Sequence, residues 1–212
     1  MRDLSHVRQR LSEAHLYAIT ADEESHRLEA AVRSSLRGGA DVIQLRHKTM
    51  ARGELLELAR TLRRLLTEAL FVVNDHVDIA LLSEADGVHL GPDDLSIAGA
   101  RRVAGDRLFI GASASTVEAA RQAIGESADY LGCGPAFATP IKAEKTVLGL
   151  PGIAAIASQV SVPVFAIGGI DESNLGQLVA LGLKRACVIR AVAGAPDPEE
   201  AARRLRAMLT AE

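Results

Sequence analysis

The chain has 212 residues, of which 48% are hydrophobic and 24% charged, and its formal net charge is −3. This length and apolar content suit one α/β domain with a substantial core and argue against a disordered chain. The sequence contains no Trp, two Tyr and four Phe. With few rings to stack bases and no excess of positive charge, we expect no nucleic-acid partner, and any phosphate site must be local.

Strand-like and helix-like segments alternate along the whole chain. The predicted strands are residues 15–20, 42–46, 70–74, 87–90, 108–112, 130–133, 163–167 and 186–190. Between them lie amphipathic stretches, such as 52–69 and 198–209, whose leucines recur at helical spacing. Eight such units predict an α/β fold, a single (β/α)8 TIM barrel over residues 1–212. A doubly wound sheet is the alternative, but its Gly-x-Gly-x-x-Gly motif does not follow the first strand.

Cysteine usage and hydropathy indicate a cytoplasmic protein with no membrane partner. Cys133 and Cys187 each lie in an apolar, strand-like run and are predicted to be buried and reduced. Residues 1–6 lack the apolar stretch of a signal peptide. The uncharged segment 147–170 is broken by Pro and Gly, which fits loop, helix and strand better than a membrane span.

Three aspartates stand directly before predicted strands, in a weak internal repeat. They are Asp41, Asp86 and Asp129. The start of each strand lies at the amino-terminal face of a barrel, whereas active sites form at the opposite face. We therefore predict a structural role for all three.

The second strand begins as an apolar run and ends in charge, with Gln44, Arg46 and Lys48 at alternate positions. Strand geometry would place these three side chains on one face. Arg and Lys together suit a phosphate or pyrophosphate, because Arg offers a planar fork and Lys a point charge. An exposed edge strand with solvated charges is the alternative.

Further polar residues follow the later strands. Asn74 and Asp75 follow strand 3, Asp94 follows strand 4, and Ser113 ends strand 5. Asp75 and Asp94 could supply oxygen ligands to Mg²⁺, or each could cap the helix behind it. His47 and His89 are interpreted as structural.

Two later loops suggest a second anion site at the same barrel end. Thr139 and Lys142 follow strand 6, and Gly168-Gly169 follows strand 7, where barrels commonly bind phosphate through backbone N–H groups. Two polyanion sites at one barrel end suggest transfer of a group from a pyrophosphate ester to a phosphate-bearing acceptor.

The order and spacing of these motifs resemble the thiamine phosphate synthase family across nearly the whole chain. The matching segments are Gln44–Lys48, Val73–Asp75, Asp86–Gly91 with Asp94, Gly111–Ser113, Gly134–Thr139 with Lys142, and Ile167–Ile170. The resemblance implies coupling of 4-amino-2-methyl-5-hydroxymethylpyrimidine pyrophosphate to a thiazole phosphate, with loss of pyrophosphate by a dissociative mechanism. Both partners are small-molecule substrates, and the sequence leaves a homo-oligomer open.

The resemblance also implies a role for each matching residue. The pyrimidine pyrophosphate would be held by Gln44, Arg46, Lys48, Asn74, Ser113 and Lys142. Mg²⁺ would be bound by Asp75 and Asp94, and the thiazole phosphate by Thr139, Gly169 and the backbone near Ile189.

The chain departs from the family pattern at Pro92, where Gln is usual, and at Ile141 and Arg190, where the family usually has hydroxyl residues. We hypothesise that Arg190 replaces the lost hydroxyls in binding the thiazole phosphate. The alternatives are a thiazole tautomerase-like enzyme and a non-catalytic barrel that binds thiazole or thiamine phosphate.

Overall fold

The computed structural model describes residues 4–138 and 147–211. Eight parallel strands pair in chain order, and the last pairs with the first to close a barrel. The strands are β1 (Leu16–Ile19), β2 (Val42–Leu45), β3 (Leu70–Asn74), β4 (Gly87–Leu90), β5 (Phe109–Ala114), β6 (Tyr130–Cys133), β7 (Val164–Ile167) and β8 (Ala186–Val188). The predicted TIM barrel is confirmed.

Helices surround the barrel, and one helix precedes β1. In the described residues they are α1 (Leu4–Glu13), α2 (Ser25–Arg37), α3 (Arg52–Leu65), α4 (Val77–Leu82), α5 (Ile97–Ala104), α6 (Val117–Gly125), α7 (Gly149–Ala157), α8 (Leu175–Ala180), α9 (Arg190–Ala193) and α10 (Pro198–Thr210), with a 3-10 turn at Gly105–Arg107. The leucines of α3 predicted from helical spacing face the barrel, and Leu62 is fully buried.

The barrel interior is filled by aromatic side chains. Tyr17, Phe109, Tyr130 and Phe165 are each no more than 1% exposed. Neighbouring ring centroids lie 5.4 to 5.9 Å apart, at tilted or edge-to-face angles that favour aromatic contact. Leu11 of α1 belongs to the same cluster, so α1 closes the amino-terminal end and leaves the carboxyl ends of the strands for the site.

The three predicted structural aspartates tie the amino-terminal face together. In each case one carboxylate oxygen accepts a hydrogen bond from a backbone N–H of the strand that comes before the aspartate in the sequence. The same carboxyl group contacts an arginine of a surrounding helix. Asp41 bonds Leu16 and Arg206, Asp86 bonds Phe71 and Arg63, and Asp129 bonds Ile110 and Arg101. The contacts confirm a structural role.

Some strand and helix ends differ from the prediction. β8 ends at Val188, so Arg190 is not a strand residue but the first residue of α9. The backbone leaves strand geometry at Ile189, whose φ is −117° and ψ −83°. The apolar run continues into this short helix, so hydropathy alone cannot mark the boundary. β2 likewise ends at Leu45, one residue before the predicted end.

Cys133 and Cys187 are free and buried, as predicted. Burial raises the pKa of the Cys133 thiol to about 12 and the pKa of the Cys187 thiol well above its ordinary range. Both thiols therefore stay protonated and unreactive at neutral pH. The uncharged segment 147–170 contains α7 and β7, and no helix in the two described ranges is long and apolar enough to cross a membrane.

Candidate active site

A chain of hydrogen bonds crosses the barrel interior and ends near the carboxyl ends of β2 and β5. Gln44 Nε2 donates to the Tyr17 hydroxyl at 2.8 Å, and that hydroxyl lies 2.8 Å from the Tyr130 hydroxyl. The Tyr130 hydroxyl lies 2.9 Å from His89 Nδ1, and His89 Nε2 lies 3.0 Å from Ser113 Oγ. The residues at the two ends of this hydrogen-bonded chain, Gln44 and Ser113, are both predicted site residues.

Sequence reasoning anticipated His89 as a hydrogen-bonded histidine of the barrel, and the structure confirms hydrogen bonds to both ring nitrogens. The sequence analysis did not identify Tyr17 and Tyr130 as members of this hydrogen-bonded chain. The sequence does contain a signal for them, because they are its only tyrosines and both lie in predicted buried strands. A buried tyrosine hydroxyl normally requires a polar partner.

Arg46 and Lys48 are positioned by Asp22, in the loop after β1. Asp22 Oδ1 accepts the backbone N–H of Lys48 at 2.8 Å, and Asp22 Oδ2 lies 3.4 Å from Arg46 Nη1. The Thr20 hydroxyl also bonds both the N–H and the C=O of Arg46, each at 2.9 Å. Loop contacts, rather than strand alternation, therefore direct these two cations. Asp22 was not predicted as a site residue, because the sequence of an exposed acidic loop does not indicate which cation an aspartate in it contacts.

Asp75 follows β3 directly, after the partly exposed Asn74. Its backbone is left-handed, with φ of 64°, and its N–H donates to the His89 carbonyl at 2.8 Å. This conformation is uncommon for a residue other than glycine and is often found at functional sites. Lys48 Nζ lies 2.5 Å from Asp75 Oδ2, so a predicted phosphate-binding cation and a predicted metal ligand are in direct contact.

Asp94 lies beside Asp75, in the loop after β4, where its Oδ2 accepts the Gly91 N–H at 2.7 Å. Burial and a hydrogen bond with Asp75 raise the pKa of Asp94. Burial also acts to raise the pKa of Asp75, but hydrogen bonds with Asp94 and Lys48 outweigh it, and the pKa of Asp75 is lowered. The two carboxylates therefore form a compact acidic pair beside a lysine.

The acidic pair has the donor set expected for Mg²⁺. In the described part of the chain, no group of three or more His, Cys, Asp or Glu side chains could hold a metal ion. Mg²⁺ needs fewer protein ligands, since it is usually held by one or two carboxylates, water and substrate phosphates. Asp75 and Asp94 supply hard oxygen ligands in contact with each other, so the residues fit this ion.

The opposite side of the barrel end is formed by the loops after β6, β7 and β8. Gly168 and Gly169 have φ of 103° and 68°, and a Cβ on Gly169 would lie 2.9 Å from the Ala138 carbonyl oxygen. The structure thus requires glycine there. Ile189 is partly buried, and Arg190 is exposed at the start of α9, where its side chain makes no hydrogen bond or ion pair with the residues the structure describes.

Thr139, Ile141 and Lys142 lie outside the described residues, so their predicted roles stay predictions. Apart from Arg190, which begins α9, the remaining site residues lie on strand ends or on the loops that follow them, as the barrel prediction requires.

Comparison with known proteins identifies the family. A family model described as thiamine monophosphate synthase matches residues 16–192. The chain belongs to this family. A thiamine-phosphate synthase of Moorella thermoacetica is 46% identical over 182 residues, which cover 84% of this chain and 87% of that protein. The chain is accordingly a transferase.

A solved structure supports the same assignment. The thiamine phosphate pyrophosphorylase from Pyrococcus furiosus superimposes with a TM-score of 0.85 at 41% identity, covering 96% of this chain and 97% of that one. Some relatives are longer: a thiamine-phosphate synthase of Gloeobacter violaceus is 43% identical over 91% of this chain but only 56% of its own length.

Proposed function

We propose that this chain joins 4-amino-2-methyl-5-hydroxymethylpyrimidine pyrophosphate to a thiazole phosphate and releases pyrophosphate, forming thiamine phosphate. Family membership supports the reaction class. The observation that carries the proposal is the cluster of Arg46, Lys48, Asp75 and Asp94 at the carboxyl end of the barrel, with Lys48 in contact with Asp75. This is the charge distribution that a magnesium pyrophosphate requires.

In this proposal the pyrophosphate group is bound by Arg46, Lys48, Asn74 and Lys142. The cations bind non-bridging oxygens and stabilise the negative charge that develops as the pyrophosphate leaves. Asp75 and Asp94 would hold Mg²⁺, which would neutralise part of the same charge. Asp22 keeps Arg46 and the Lys48 backbone in place, so that little reorganisation is needed when the substrate binds.

The proposed reaction is dissociative. The bond between the pyrimidine methylene carbon and the bridging oxygen breaks, and both electrons leave with pyrophosphate. The methylene cation is stabilised by the aminopyrimidine ring, which Gln44 and Ser113 orient. The thiazole nitrogen then donates its lone pair to that carbon, forming the new C–N bond without a protein nucleophile.

The thiazole phosphate is proposed to bind on the opposite side of the barrel end. Gly169 and the backbone near Ile189 would supply N–H groups, with Thr139 as a hydroxyl donor. Arg190 is exposed at the edge of this region, and its guanidinium has no ion-pair partner among the described residues, which supports a role in binding the phosphate.

The proposal is tested by incubating the purified protein with both substrates, first with Mg²⁺ and then with EDTA, and measuring thiamine phosphate by chromatography. We expect product only with Mg²⁺. Asp75→Asn should lose most activity, whereas Asp106→Asn, at an exposed carboxylate in the turn after α5, should match the unmodified protein. Absence of product while the pyrimidine substrate still binds would contradict the proposal and favour a tautomerase-like or non-catalytic barrel.

A further inference from the structure

The hydrogen-bonded chain from Gln44 to Ser113 has a direction. Tyr17 and Tyr130 are 0% and 1% exposed, and burial raises the pKa of both phenols far above neutrality. Each phenol therefore keeps one hydrogen at physiological pH. Among the described residues the Tyr17 hydroxyl has two polar partners, Gln44 Nε2 and the Tyr130 hydroxyl.

The hydrogens can then be assigned one after another. Gln44 Nε2 can only donate, so the Tyr17 oxygen accepts from it and the Tyr17 hydrogen points to the Tyr130 oxygen. The Tyr130 hydrogen then points to His89 Nδ1. While Gln44 Nε2 donates to Tyr17, any other arrangement leaves a buried hydroxyl hydrogen without an acceptor, which is costly inside an apolar barrel.

The assignment extends to the end that faces the site. An imidazole that accepts at Nδ1 carries its hydrogen on Nε2, so His89 donates to Ser113 Oγ. Ser113 Oγ accepts that bond and its own hydrogen is left to donate to a ligand. At the other end, Gln44 uses one Nε2 hydrogen within the chain and keeps its Oε1 as an acceptor.

The two ends are coupled, because each tyrosine hydroxyl and a neutral His89 imidazole carry one hydrogen each. Turning the Gln44 amide over would make it accept from Tyr17, and every following bond would reverse, so that Ser113 would donate to His89. In the assigned direction Ser113 donates and Gln44 Oε1 accepts, whereas in the reverse direction the Ser113 hydrogen is used by His89, so that Ser113 can only accept and Gln44 Nε2 donates.

We propose that Tyr17, Tyr130 and His89 are positioning residues that set these polarities and thereby select a 4-aminopyrimidine over a 4-oxopyrimidine. This rests on the proposed function. A 4-aminopyrimidine carries a donor at its amino group and an acceptor at the ring nitrogen opposite it, which matches an acceptor at Gln44 and a donor at Ser113. A 4-oxopyrimidine carries acceptors at both places, so it places a second acceptor against Gln44 Oε1 in the assigned direction and against an accepting Ser113 in the reverse direction.

The first test is the tautomer of His89, measured without substrate by ¹⁵N NMR of histidine-labelled protein and assigned by comparison with His89→Asn. We expect the Nε2–H tautomer. Gln44→Glu replaces the donor by an acceptor-only carboxylate, which should reverse the chain and shift His89 to the Nδ1–H tautomer. An Nδ1–H tautomer in the unmodified protein, or no change in Gln44→Glu, would overturn the inference. Because no substrate is present, this result is independent of the proposed reaction.

The second test is selectivity, measured as the ratio of the dissociation constants of the 4-oxo and 4-amino pyrimidine pyrophosphates. The unmodified protein should prefer the 4-amino compound by about a hundredfold or more, because the mismatch leaves polar groups unpaired. Tyr17→Phe interrupts the chain and should reduce this ratio about tenfold, with the dissociation constant of inorganic pyrophosphate unchanged.

Phe165→Leu is the matched control, since Phe165 packs against both tyrosines with centroid distances of 5.4 and 5.8 Å but has no hydroxyl. It should leave the His89 tautomer and the selectivity unchanged. Equal losses of selectivity in Phe165→Leu and Tyr17→Phe would show that packing, not hydrogen direction, decides the preference, and would overturn the inference. Failure of the proposed function would appear instead as absence of thiamine phosphate formation.

Discussion

Replacing Asp86 by alanine should strongly destabilise the amino-terminal face of the barrel. The Asp86 side chain is 1% exposed and its Oδ2 accepts from Arg63 Nη1 at 2.8 Å and from the Phe71 N–H at 2.7 Å. In Asp86→Ala the Phe71 N–H is left buried without this acceptor, which costs about 1–3 kcal/mol. The Arg63 guanidinium, 10% exposed, also loses its carboxylate.

Breaking a buried ion pair by removing one partner typically costs about 3–5 kcal/mol. This range already includes the unpaired charge, so we expect the free energy of unfolding to fall by about 3–5 kcal/mol in Asp86→Ala. For a chain of this size each kcal/mol shifts Tm by about 2–4 °C, so Tm should fall by roughly 6–20 °C. Asp86→Asn keeps an acceptor for the Phe71 N–H and should lose less.

The measurement is urea unfolding at 25 °C followed by circular dichroism, with the midpoint and the slope compared between variants. Asp106→Ala, which removes an exposed carboxylate, is the control and should stay within about 0.5 kcal/mol of the unmodified protein. A loss below about 1 kcal/mol in Asp86→Ala would refute the argument that this carboxylate holds the strand and the arginine together.

Three further predictions concern the site. Asp22→Ala should raise the KM of the pyrimidine substrate several-fold, because Arg46 loses its partner, and leave the thiazole-phosphate KM unchanged in steady-state assays. Arg190→Ala should do the reverse, raising the thiazole-phosphate KM about tenfold; equal effects on both substrates would contradict its assignment. Asp94→Asn should change the pH dependence of stability in EDTA: the raised pKa of Asp94 stabilises the folded state below the ordinary carboxyl pKa, and this contribution is lost as pH rises through the raised value. The variant should therefore gain stability relative to the unmodified protein in urea unfolding as the pH is raised above the ordinary carboxyl pKa, and a difference that does not change with pH would contradict this prediction.

The order of the barrel strands and the position of the site could be read from local patterns. Apolar runs alternating with amphipathic stretches predicted the eight strands, because each segment must bury a strand on both faces and a helix on one. The polar residues that follow those runs then had to lie at one end of the barrel, where Lys48, Asp75 and Asp94 do lie together.

The ends of strands and helices were harder to predict where one apolar run extends from a strand into the following helix. The run containing Ile189 continues from β8 into α9, so Arg190 was placed on a strand although it begins a helix. The roles of Asp22 and Thr20 were likewise hidden, because they depend on how the loop after β1 approaches the residues after β2.

The sequence by itself determined the barrel, its amino-terminal aspartates and the chemical character of the site, since these follow from local periodicity and from residue types at strand ends. Only the tertiary structure decided which polar groups meet inside the barrel. Tyr17 and Tyr130 are 113 residues apart, yet their hydroxyls lie 2.8 Å from each other. The reason is physical: closure of the sheet and its strand register set which inward side chains share a layer, and no local pattern contains that register.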